Sequence, residues 1–229
     1  KEIAEVQLDS KLEDLRMIAF SRTDAAKLGS LALEPEMASV LTAPAVLAVN
    51  IRGGSRVNQN TFESAIQQLK GSVFIPSFEN HSRALGLIFS DRSLPSASRT
   101  TARLQNCTAC VIKAHAVQAG HVPEIVAEIF SAGLAITAIK SVSLSRVESQ
   151  EFLEVYKGVV PNFPALVEEL CRSRVVAIEV SGQDVVRRLR ALAGPIDFSI
   201  AKKIRPHTVR AKYGVDSVQN AVHVTDLAE

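Results

Sequence analysis

The chain has 229 residues, 47% of them hydrophobic, with 26 basic against 24 acidic side chains. That length suits one large domain or two small ones around a sizeable core. The near-balance of charge argues against a general nucleic-acid binder. No apolar run approaches the ~20 residues of a membrane span, so neither nucleic acid nor membrane is an expected partner.

From the N-terminus, Lys1 opens without the charged-then-apolar layout of a signal peptide. "LRMIAFSRTDAAKLG" (15–29) predicts a strand giving way to a helix at Ser21-Arg22, and "TAPAVLAVNI" (42–51) a second strand. "FESAIQQLKG" (62–71) predicts a helix, and His81 falls in another, where it reads as surface decoration. "DRSLPSASRTTARLQN" (91–106), rich in Ser, Thr and Arg, reads as a linker.

The second half is more sharply patterned. "TACVIK" (108–113) predicts a buried strand. Cys107 and Cys110 have redox or metal spacing, but a zinc site needs a second ligand pair and none is evident. With Cys171 the total is three cysteines, too few for a disulfide framework and consistent with a reducing compartment. "HVPEIVAEIFSAGL" (121–134) has helical spacing and a stop at Gly133, and "AITAIKSVSLS" (135–145) alternates as a strand. Helices over 146–156 and 163–172, a strand over 175–180 and an amphipathic helix ending at Gly194 follow. Residues 195–209, with Pro195 and Pro206, read as irregular, then a short turn "TVRAKYG" and a final strand "SVQNAVH".

This order predicts helices on one face of an antiparallel sheet, an α+β sandwich of ferredoxin-like type. The first half echoes the second: Ser21-Arg22 matches Ser145-Arg146, and "FESAIQQLKG" matches "VVRRLRALAG". We therefore expect an internal duplication, with two tandem ferredoxin-like sandwiches at 1–90 and 107–229 joined by 91–106. The first copy lacks an opening "CVIK"-like strand, the long loop after Gly194 and the Asn-x-x-His stretch. An open sheet centre leaves backbone groups unpaired, so upstream residues or another segment are expected to fill it. The two copies are expected to pack as a pseudo-dimer.

"CVIKAHAVQ" (110–118), "LAG" (192–194), "RPHTVRAKYG" (205–214) and "QNAVHVTD" (219–226) stand in one order, and together they resemble the nucleoside diphosphate kinase family. "FLEVYKGVVPNF" and "QNAVHVTDL" look closer still to a branch of that family with two kinase-like domains in tandem. The resemblance implies a ping-pong transfer, in which a histidine takes the γ-phosphoryl group of ATP or another nucleoside triphosphate and a diphosphate collects it. It assigns the nucleophile to His223, the phosphate-side cations to Lys113, Arg190 and Arg210, a phosphate-side tyrosine to Tyr156 and a sugar contact to Asn220. Mg²⁺ would arrive with the nucleotide, held by phosphates and water. Singly, each residue has an ordinary structural reading: a strand-end histidine, a solvated arginine among three on one helix, a core tyrosine.

Several positions depart from the family pattern. Ala114-His115 follows Lys113 where the family has Pro-Asp. Val224 replaces a glycine and is expected to crowd His223, Ile196 stands where a phosphate-binding threonine is usual, and Asn162 where a base-stacking phenylalanine is usual. Nucleotide binding is thus the firmer expectation, with turnover left open in the second domain and absent from the first. The branch resemblance further implies a structural, microtubule-associated role: ciliary axoneme, doublet microtubule or γ-tubulin complex, in the cytoplasm and cytoskeleton. The alternatives are an ordinary nucleotide-metabolising kinase and a nucleotide sensor without turnover.

Overall fold

The computed structural model describes residues 11–20, 22–32, 39, 41, 45–52, 78–89 and 99–225. They fall into two compact units, divided between Thr101 and Ala102. Residues 62–71, 91–98 and Asp226 of the Asn-x-x-His stretch lie outside the described residues.

In the first unit, β1 (Lys11–Ala19) leads to α1 (Arg22–Gly29) and β2 (Val46–Arg52). The strands are antiparallel, with Leu15 opposite Val49 and Ile18 opposite Val46. A 3₁₀ turn (Phe78–Asn80) precedes α2 (His81–Phe89), so the predicted helix at His81 is present. Within the stretch read as a linker, β3 (Arg99–Thr100) pairs antiparallel with β1. Ile18, Leu28, Leu31, Leu41 and Ile88 form the core.

The second unit opens with β4 (Cys107–Ile112), the short helix α3 (Ala114–Gln118) and α4 (Val122–Ser131). Pro123 in the first turn suits α4, where a missing N–H is harmless. The helix stops at Gly133, whose φ of +67° a side chain would disfavour. β5 (Ala135–Val142) follows, then α5 (Arg146–Phe152). Ser145 and Glu148 form a reciprocal capping box at the start of α5. A 3₁₀ turn (Glu154–Tyr156), α6 (Phe163–Cys171), β6 (Val175–Ser181) and α7 (Val185–Ala193) complete the predicted elements.

The segment after Gly194 departs from expectation. It contains α8 (Phe198–Ile204), capped by Asp197, whose carboxylate accepts from the Ile200 N–H at 2.9 Å. Pro195 precedes this helix rather than breaking it, so the prolines misled the sequence reading. The predicted turn is a five-residue helix, α9 (Val209–Tyr213), ended at Gly214. The last strand is shorter than expected: β7 covers only Val222–Val224. Before it, Asp216 draws the Val218 and Gln219 N–H groups into a turn, which removes 217–221 from the sheet.

The strand order is β5-β6-β4-β7, each neighbour antiparallel, the expected ferredoxin-like sheet. Helices cover both faces, not one. Ile125 and Ile129 of α4, with Leu189 and Ala193 of α7, enclose Cys110, Val222 and Val224. On the other face Val111 and Val175 pack with Val167 and Leu170 of α6. Cys110, Val111 and Ile112 are consecutively buried for this reason. Each such side chain contributes on the order of 1.5–3 kcal/mol when fully buried. Cys107 and Cys110 belong to this strand, as expected.

Candidate functional site

His223 is the middle residue of β7, opposite Val111 in the register with β4. Its half-buried ring meets the edge of Phe152 at 5.1 Å and stands perpendicular to Tyr156 at 5.8 Å. Strand β7 thus presents the imidazole to the α5–3₁₀ corner, which supplies two aromatic walls.

The backbone just before and around His223 is gripped by two buried cations. Lys113, 5% exposed at the end of β4, donates from Nζ to the Val218 carbonyl at 2.8 Å. Its main-chain N–H donates to the Ala221 carbonyl at 2.9 Å. Arg210 of α9 donates from Nε to the Val222 carbonyl at 3.3 Å and from Nη1 to the Gly194 carbonyl at 2.7 Å. These bonds to carbonyls fix where both cations stand beside the bend.

Asn220 is buried beside them. Its Nδ2 donates to the Ile196 carbonyl at 2.9 Å and lies 3.4 Å from the Ser217 carbonyl, while its Oδ1 is buried with no hydrogen-bond partner among the described residues. Ile196, the expected departure in the loop, therefore engages the site through its backbone. Lys113, Arg210, Asn220, Tyr156 and His223 come together around one bend. Arg190 stands apart, exposed on α7; its carbonyl accepts from the N–H of Gly194, the residue whose own carbonyl anchors Arg210.

The residue pair that sequence reading missed is His115 and Glu169. His115 is the second residue of α3, two after Lys113, and is buried. Its Nδ1 lies 2.7 Å from Glu169 Oε1, which also accepts the His115 N–H at 2.8 Å. Its Nε2 accepts the Ala221 N–H at 3.2 Å. Burial alone would raise the Glu169 carboxyl, but the bonds from the His115 ring and backbone, with the Arg172 guanidinium, outweigh it and hold it below the usual carboxylate range. The one sequence signal was the departure from Pro-Asp after Lys113. The partner, 54 residues on, was invisible in one dimension.

Comparison with known proteins identifies the family. The nucleoside diphosphate kinase family profile matches residues 106–229. The chain is 44% identical over 129 residues to nucleoside diphosphate kinase homolog 7 of Mus musculus, covering 56% of this chain and 33% of that protein. It is 40% identical over 153 residues to its Rattus norvegicus counterpart, covering 67% of this chain and 38% of that one. The chain thus spans little more than a third of these relatives. A crystal structure of the Aquifex aeolicus nucleoside diphosphate kinase superposes with a TM-score of 0.51 at 31% identity, over 53% of this chain and 86% of that one. With the family profile matching more than half of its length, and a kinase structure sharing its second unit, the chain belongs to the nucleoside diphosphate kinase family.

Proposed function

We propose that the second unit binds a nucleoside di- or triphosphate and passes a phosphoryl group through His223. An imidazole nitrogen of His223 attacks the γ-phosphorus, the bond to the β-phosphate oxygen breaks, and the diphosphate leaves. An acceptor diphosphate reverses the step. A neutral imidazole suits this role near pH 7. Lys113 and Arg210 stabilise the charge that spreads over the transferring oxygens, with Arg190 closing from α7. Asn220 offers its buried Oδ1 to a sugar hydroxyl, and Tyr156 walls the imidazole. Mg²⁺ enters as part of the substrate, held by phosphate oxygens and water.

The observation that carries this reading is the convergence of Lys113, Arg210 and Asn220 on the bend that bears His223. The test is direct. The protein is incubated with Mg²⁺ and γ-labelled ATP and trapped in alkali, with His223→Ala in parallel. Acid-labile label present in the wild type and absent from the variant is the expected result. No label, with nucleotide still bound, reduces the site to a sensor.

We further propose the tandem arrangement and a microtubule-associated structural role, in the ciliary axoneme or at γ-tubulin complexes. The support is the likeness to the homolog 7 relatives and the echo of strand–helix–strand order in the first unit, which lacks the catalytic stretch. Co-sedimentation with microtubules, equal for wild type and His223→Ala, is the expected outcome; no co-sedimentation leaves ordinary nucleotide metabolism.

A further inference from the structure

We infer that His115 and Glu169 are a positioning pair for the phosphoryl-accepting strand: Glu169 fixes the His115 ring, and the ring fixes the bend at Ala221, two residues before His223. The inference rests on the reading of His223 as the nucleophile.

An amide N–H can only donate, so the Ala221 N–H at 3.2 Å requires a lone pair on His115 Nε2. The ring proton therefore sits on Nδ1 and is donated to Glu169 Oε1 at 2.7 Å. The other carboxylate oxygen is engaged by Arg172 Nε at 3.3 Å and Gln219 Nε2 at 3.4 Å. Both oxygens of a buried carboxylate are thus committed, and the imidazole has one tautomer and one orientation.

Ala221 needs such a grip. Its φ is +68°, the left-handed region that a non-glycine residue enters at a cost of ~1 kcal/mol or more. The β4–α3 corner holds it at both polar groups: the His115 ring takes its N–H, and the Lys113 N–H binds its carbonyl. Asn220 precedes this bend and β7 follows it, so the corner sets where the sugar-side amide and the nucleophile point.

Two variants separate positioning from mere filling. His115→Gln places a carbonyl oxygen near the Nε2 position and keeps an acceptor for Ala221. His115→Asn places an amide nitrogen near Nδ1, keeps the Glu169 bond and leaves Ala221 unmet. The readouts are MgADP affinity by calorimetry, the His223 labelling rate, and the Ala221 amide resonance. His115→Asn is expected to weaken MgADP and slow labelling about ten-fold, the fold-change one unmade buried hydrogen bond commands. His115→Gln stays close to wild type in affinity, labelling and Ala221 resonance. The proposal is overturned if both variants bind and label alike, with the same Ala221 resonance, and differ from wild type only in melting temperature. If wild-type protein binds MgADP but takes no label, the nucleophile reading fails, and affinity and the Ala221 resonance still decide the positioning pair. If it does not bind, that resonance alone decides.

Discussion

Val224 and His223 are chain neighbours on opposite faces of β7. Val224 lies 1% exposed in the apolar layer with Cys110 and Val222, while His223 turns its ring to Phe152 and Tyr156. The pleat separates them, so the crowding expected from a valine after the histidine does not arise. Trimming Val224 to alanine should lower unfolding free energy by about 2 kcal/mol through lost burial and a small cavity. Urea denaturation measures that loss. Nucleotide affinity, followed by calorimetry, should not change; a gain on trimming would mean that the side chain does press on the site.

Arg210 ties two separate segments, donating to the carbonyls of Gly194 and Val222. Arg210→Ala leaves both acceptors in a buried setting, at roughly 1–3 kcal/mol each, so a total loss near ~3 kcal/mol is expected. Arg210→Lys keeps the charge but cannot span both carbonyls in a fixed fork. It should recover part of the stability and little of the nucleotide affinity. Equal affinity for Arg210→Lys and wild type would remove Arg210 from the phosphate site.

Gly194 ends α7 with φ +84°, and a Cβ there would come within 2.3 Å of Thr208 Oγ1. Gly194→Ala combines backbone strain with a clash and should cost about 2 kcal/mol or more. Pairing it with Thr208→Gly relieves the clash but not the strain, so the double variant should be more stable than the separate losses predict. Additive losses in thermal melts would show that the clash is absorbed by a small shift.

The legible parts of the sequence were those governed by local periodicity. The strand read over 108–113, the helix stopped at Gly133 and the helix starting near Ser145 follow from a short apolar run, helical spacing with a glycine stop, and a break in the strand pattern. Residues 195–221 were misread because their order depends on side chains far apart in sequence. Asp197 caps a helix that two prolines seemed to forbid, and the short β7 exists because Asp216 first curls the chain. The site showed the same division. His223, Lys113 and Arg210 were singled out because the contiguous stretches that carry them resemble family motifs, whereas Glu169 has no local signal. Its role becomes visible only when α6 is laid beside α3. The helices on the second face were missed because alternation reports which residues are buried, not what buries them.

Cys110 gives the last prediction. Burial between β4 and the α4–α7 layer pushes its thiol up to about 12 from the ordinary 9.0, against an opposing pull from the Arg210 guanidinium. The reactive species is the thiolate, so the native protein at pH 8 should leave Cys110 unmodified by iodoacetamide while the partly exposed Cys107 and Cys171 react. Mass spectrometry of the digested protein distinguishes the three sites. Adding urea should bring Cys110 labelling up along the unfolding curve, because only the unfolded chain exposes an ordinary thiol. The linkage has a definite sign: above pH 9 the unfolded state sheds a proton that the folded state keeps until about 12, so stability falls across that window. A Cys110→Ala variant lacks this contribution, and its stability should decline less steeply over the same range. Prompt labelling of Cys110 in native protein would show that β4 opens locally at the strand that carries Lys113, and with it the corner on which the His223 bend is built.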